Sequence, residues 1–134
     1  MPARTAYTSA EIEACRDSCD ALLAVWAANE VEDTTLESLV FVHAVVVLDA
    51  WFAHREPALE GADGNPMNEV RVIADSVVGN AGTLRVPDPI RWAPERTVLR
   101  FAPGDEVEMT ANRFERLAAA YLAAIENTYP ETGG

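Results

Sequence analysis

The sequence predicts a mainly α fold with a small antiparallel β element: a helical hairpin, a third helix, a β-hairpin and a C-terminal helix. Three observations lead there. Apolar residues recur at three- and four-residue steps through the first half of the chain and again at its end. Between those regions Pro87, Pro89, Pro94 and Pro103 exclude a long helix, and short alternating runs replace the helical period. Finally, Leu36 to His54 is broken between Leu39 and Phe52 only by His43 and Asp49. A helix facing one core needs an apolar stripe only about 100° wide. This one is apolar nearly all round, so it is expected to be central and covered on most sides, with help from a second copy.

The first helix is expected from Thr8 to Asn29. Thr8 and Glu11 have capping-box spacing, and Ile12, Cys15, Cys19, Leu22 and Trp26 form a stripe backed by an acidic face. A short link, Asn29 to Asp33, makes it the antiparallel neighbour of the central helix, which Thr34 with Glu37 starts and Pro57 ends. Gly61 to Asn65 reads as a loop. Asn65 followed by Pro66 starts the third helix, with Met67, Val70, Ile73, Ala74 and Val77 as its apolar stripe, and Gly79 to Gly82 stops it.

Leu84–Val86, Ile90–Trp92, Val98–Phe101 and Glu106–Met109 read as short strands. The last two are expected to form a hairpin across Ala102–Asp105, with Phe101 opposite Val107 and Arg100 opposite Glu108, since a one-residue slip would turn the apolar residues outward. Thr110 caps the final helix, whose stripe is Phe114, Leu117, Ala118, Tyr121, Leu122 and Ile125. Residues 1–134 make a single globular domain, with 1–7 and 130–134 expected to fray.

The 134 residues carry a net charge of −12, and all ten basic residues are arginine. That balance argues against general nucleic-acid or anionic-membrane binding. The N-terminus lacks the apolar core of a signal peptide, and the Leu39–Phe52 run falls short of the ~20 residues of a membrane span, so a cytoplasmic location is expected. Cys15 and Cys19 lie on one helix, where neighbouring turns rarely suit a disulfide, and two thiols alone do not make a zinc site. No cofactor or metal is expected.

Three constellations are candidates for function. His43 is the first: an imidazole in an apolar helix should be a buried group bonded to one polar neighbour, within the chain or across a dimer. His54 shares its face but lies roughly 16 Å along the axis at ~1.5 Å per residue, too far to share a metal. The second is the start of the third helix, where Asn65, Asn68, Glu69 and Arg71 gather at a helix N-terminus, a natural anion site. An Arg71–Asp75 pair at i,i+4 is the plainer reading. The third is the arginine-rich segment. Arg85, Arg91, Arg96 and Arg100 stand against only Asp88 and Glu95, so Arg91 and Arg100, interleaved with Trp92 and Phe101, could hold an anion. No phosphate-binding glycine loop, nucleophile elbow, zinc-protease or dinucleotide motif is present.

Gly64-Asn-Pro-Met-Asn-Glu-Val-Arg71 and Gly104-Asp-Glu-Val-Glu-Met-Thr110, with Phe114-Glu-Arg-Leu117, resemble segments of a set of small uncharacterised bacterial proteins. The similarity covers about the second half of the chain and implies no activity. The helical hairpin with its polar Asn and Arg positions loosely resembles HEPN-type ribonucleases, but their Arg-x4–6-His motif is absent. The function expected is a non-catalytic binding or regulatory module acting as a homodimer, its partner being a second copy and its further ligand a protein or a small anion. The alternative is a small-molecule or nucleotide-processing enzyme built on the third helix and the arginine-rich segment.

Overall fold

The computed structural model describes residues 2–30 and 32–131. Five helices account for its regular structure: α1 (Ser9–Ala28), α2 (Thr34–Trp51), α3 (Pro57–Glu60), α4 (Pro66–Gly79) and α5 (Ala111–Thr128). A 3₁₀ turn spans Pro94–Arg96.

Local chemistry sets the helix starts. Thr8 and Glu11 form a reciprocal capping box on α1, with Thr8 Oγ1 accepting from Glu11 N at 3.1 Å and Glu11 Oε2 from Thr8 N at 2.7 Å. Asp33 rather than Thr34 caps α2, accepting from Leu36 N at 3.0 Å. Asn65 caps α4 through Met67 N and Asn68 N, with Pro66 supplying a first residue that needs no N–H partner. Thr110 caps α5 through Arg113 N. Helix α3 is an addition to the expected elements. Pro57, anticipated as the end of the central helix, instead opens this single turn behind a Glu56 cap.

The core lies between α4 and α5. Met67, Val70, Val72, Ile73 and Ala74 of α4 and Phe114, Leu117, Tyr121, Leu122 and Ile125 of α5 are buried. Helix α2 packs chiefly on α4, and α1 on α5. Tyr7, just before α1, meets Phe52 at the end of α2 with ring centroids 4.8 Å apart, and Trp26 meets Phe41 at 5.6 Å. The two helices therefore run antiparallel, yet each leans on a different neighbour. So α2 is an edge helix, not a central one. Only Phe41, Val42, Val45 and Leu48 of its residues are buried, while Leu36, Leu39, Val47 and Trp51 are 43, 53, 56 and 39% exposed.

The expected β element does not form. Among the described residues there is no strand, sheet or hairpin, only isolated bridges joining Arg4 to Arg55 and Thr83 to Glu106. A ladder needs free N–H and C=O groups, and here other partners have taken them. The Glu69 carboxylate accepts from Val98 N at 2.8 Å and Leu99 N at 3.0 Å. Thr97 Oγ1 accepts from Arg100 N, and the Trp92 indole N–H donates to Phe101 O. Arg100 itself sits at φ 63°, which breaks the extended chain. The segment 104–107 bonds instead to 82–84, with Val107 N donating to Gly82 O and Leu84 N to Asp105 O, both at 2.8 Å. The alternation still sorts the side chains: Phe101 and Val107 are buried, Arg100 and Glu108 exposed.

Of the segment 1–7 expected to fray, Arg4 and Tyr7 are tied down, and Met1 lies outside the described residues. Arg4 N donates to His54 O at 2.6 Å, Glu56 N to Arg4 O at 2.8 Å and Tyr7 N to Tyr129 O at 3.1 Å. Tyr7 is only 4% exposed. At the other end, Pro130 and Glu131 are exposed, and the fraying expected of 132–134 lies outside the described residues.

Candidate functional site

The polar start of α4 is where sequence and structure differ most in meaning. Arg71 does not pair with Asp75. Its Nε and Nη2 donate to Glu60 Oε2 and Oε1 at 3.0 and 2.7 Å, a bidentate grip on a carboxylate that is 5% exposed. Glu60 also accepts from Asn68 Nδ2 at 2.9 Å and from Arg55 Nε at 2.5 Å. Burial opposes ionisation of Glu60, but the hydrogen bonds and charges of Arg71 and Arg55 outweigh it and hold the carboxyl below its ordinary range. Hydrogen bonding to Glu60 in turn lifts Arg71 above the usual arginine value.

Arg55 closes this network and was missed by sequence reasoning. It is 2% exposed, and it donates through Nη1 to Tyr121 Oη at 3.0 Å and Phe52 O at 3.1 Å and through Nη2 to Asp49 Oδ1 at 3.0 Å. It so links the end of α2 to α3 and α5. A signal did exist: Asp49 inside an apolar run calls for a cation, and Arg55 is the nearest in sequence. Asn68 bonds Gly64 N and Gly61 O, and Asn65 Nδ2 bonds Glu60 O. These groups satisfy one another.

The other candidates are dispersed. Glu69 is 1% exposed and serves the 98–99 backbone; burial pushes its carboxyl up despite those two N–H bonds. Arg91 comes near the α3–α4 loop through its backbone, with its N donating to Ala62 O at 2.8 Å. Gly64, at φ 85°, passes so close to Arg91 O that a Cβ there would lie 2.4 Å away, so only glycine fits. The Arg91 and Arg100 side chains are exposed. His43 is also exposed, a correction to its expected burial. Its Nδ1–H donates to Leu39 O at 2.7 Å, one turn back in its own helix, which leaves Nε2 facing outward.

Among the described residues, three of the best-formed cavities are lined by none of Asn65, Asn68, Glu69, Arg71, Arg91 and Arg100. One of 530 Å³ lies where the starts of α2 and α5 meet residues 106–110. Its polar groups hold that junction together: Glu37 accepts from Ala111 N, Ser38 from Met109 N, and Arg113 donates to Glu108 O. A second, of 210 Å³, is lined by Tyr7, Ile12 and Glu126. The third, of 240 Å³, is an apolar groove between α1 and α2, lined by Cys15, Ser18, Cys19 and Leu22 on one side and Ala44, Val47, Leu48 and Trp51 on the other, with Phe114 beneath. Both cysteines are free, and the neighbouring Cys19, together with burial, pushes the Cys15 thiol up. Val47 and Trp51 line this groove, and Leu36, Leu39 and Val47 are exposed along α2, so the helix presents a largely apolar face to solvent. That face is the candidate site.

No protein-family model, curated protein or solved structure matches this chain.

Proposed function

We propose that the chain is a non-catalytic binding or regulatory module that acts as a homodimer, joined through the outward face of α2 and the groove beside it. The observation that carries this reading is the exposure of Leu36, Leu39, Val47 and Trp51 on a helix whose opposite side already fills the core. Contiguous apolar surface of this kind marks interaction sites. By length and composition alone α2 could also cross a membrane. Arg55 and Tyr7 bind its C-terminal end to the rest of the fold, which favours a protein partner over a bilayer. The enzyme reading is weakened because Arg55, Asn68 and Arg71 are all engaged by the buried Glu60 carboxylate.

Sedimentation equilibrium at micromolar concentration tests the proposal. The expected mass is twice the 14.5 kDa chain. Each copy carries −12, so association works against like-charge repulsion. Raising salt shortens the Debye length to ~8 Å at physiological strength and should tighten the dimer. A species of 14.5 kDa at every salt concentration overturns the proposal.

A further inference from the structure

We infer that two copies join with their α2 helices antiparallel, across a two-fold axis that passes at His43. The inference rests on the homodimer reading and specifies its geometry. Around an ideal helix Leu36, Leu39, Val40, Val46, Val47 and Ala50 all fall within about 60° of His43, opposite the side that Phe41 and Val45 turn to the core. Leu36, Leu39, Val47 and Ala50 are exposed, and Val40 and Val46, at the edges of the stripe, are half-buried against the core. The stripe they form contains no charge.

Its order is nearly palindromic about His43. Val40 and Val46 stand three residues to either side, Leu39 and Val47 four, Leu36 and Ala50 seven. Turning one copy end for end therefore sets Val40 on Val46, Leu39 on Val47, and Leu36 on Ala50, large against small at the outer pair. The two copies of His43 meet at the axis. A single polar residue in such a seam fixes register at some cost in stability, because any slip leaves it against an apolar neighbour.

Charge supports the same direction. Glu32 and Asp33 flank the start of α2, and His54 follows its end; all three are exposed. Antiparallel pairing brings His54 of each copy toward Glu32 and Asp33 of the other and opposes the helix dipoles favourably. Parallel pairing would place the two acidic ends together. A stable interface needs about 800 Å² per partner, more than one helix stripe supplies. Trp51, 39% exposed, and the groove it shares with Ser18, Cys19 and Leu22 of α1 extend it on one flank.

The test uses Leu39→Lys and Val47→Glu in the full chain, each alone and mixed in equal amounts, with circular dichroism as the check on folding. Both positions are more than half exposed, so the monomer fold should stand. Each variant alone buries two uncompensated charges and should dimerise at least about tenfold more weakly than wild type, a loss of ~1.4 kcal/mol. The mixture should restore the dimer, because one side keeps Leu39 on Val47 and the other sets Lys against Glu. If wild type is dimeric and the mixture fails to recover, or if neither variant weakens the dimer, the axis is wrong while the homodimer stands. A monomeric wild type removes both. A monomer that co-sediments with phosphatidylcholine vesicles would assign the face to a bilayer and likewise overturn the inference.

Discussion

Arg55 is the largest side chain that the fold buries completely, and its guanidinium is engaged by Glu60, Asp49 and Tyr121 as well as by backbone carbonyls. Arg71, by contrast, is one-third exposed, and Glu60 would retain Arg55 and Asn68 without it. The two arginines should therefore differ in measured cost. Arg71→Ala is expected to lose about 1–2 kcal/mol, the worth of a charged hydrogen bond that is partly replaced by solvent. Arg55→Ala should lose about 3–5 kcal/mol, because it strands Glu60 beside an emptied site. Urea unfolding separates the cases, and equal small losses would show that the network is only decorative. Asn65 and Arg71 were recognisable as polar residues worth explaining, but their partner was not. Glu60 lies eleven residues before Arg71, beyond any helical spacing rule, and only the turn of α3 brings it back.

At the scale of elements, the helices were legible because capping residues and apolar period agree with what tertiary packing requires. The hairpin was not, because its competitor is remote: Glu69 on α4 reaches 29 residues along the chain to take the Val98 and Leu99 amides. No local pattern announces such a bond. Its consequences are measurable. Glu69→Gln offers one acceptor where two amides donate, and should cost about 1–3 kcal/mol through the unsatisfied group. The pH dependence gives a second signature. Burial raises the Glu69 carboxyl from its ordinary value of 4.5, so the folded state holds a proton that the unfolded chain has already released. Its contribution to stability is present below that value and declines as pH rises through the raised one. The deficit of Glu69→Gln relative to wild type should therefore shrink as pH climbs from about 4.5. Thermal melts over that range check it, and a deficit that grows with pH would contradict the assignment. Glu11 acts with the opposite sign. The hydrogen bond from Arg4, with that from the Thr8 backbone, lowers it to about 2, so its contribution is lost as pH falls from 4.5 toward that value.

For the molecule as a whole, the unusual apolarity of Leu36–His54 is plain in the sequence, but the expected cover on most sides is not supplied within the chain. A helix apolar on every side can be the centre of one chain or the meeting place of two, and composition does not distinguish them. Helix α2 packs on α4 and on α5, with Phe41 and Val45 inward and Leu39 and Val47 outward, and this one-sided burial is what the homodimer proposal rests on. The most direct measurement is covalent trapping at the axis: His43→Cys in a chain with Cys15→Ala and Cys19→Ala, oxidised mildly and run without reductant. A residue on a two-fold axis faces its own copy, so a disulfide-linked dimer is the expected result, with Leu36→Cys in the same background remaining single. A His43→Cys chain that stays single under conditions where Leu36→Cys cross-links would contradict the account.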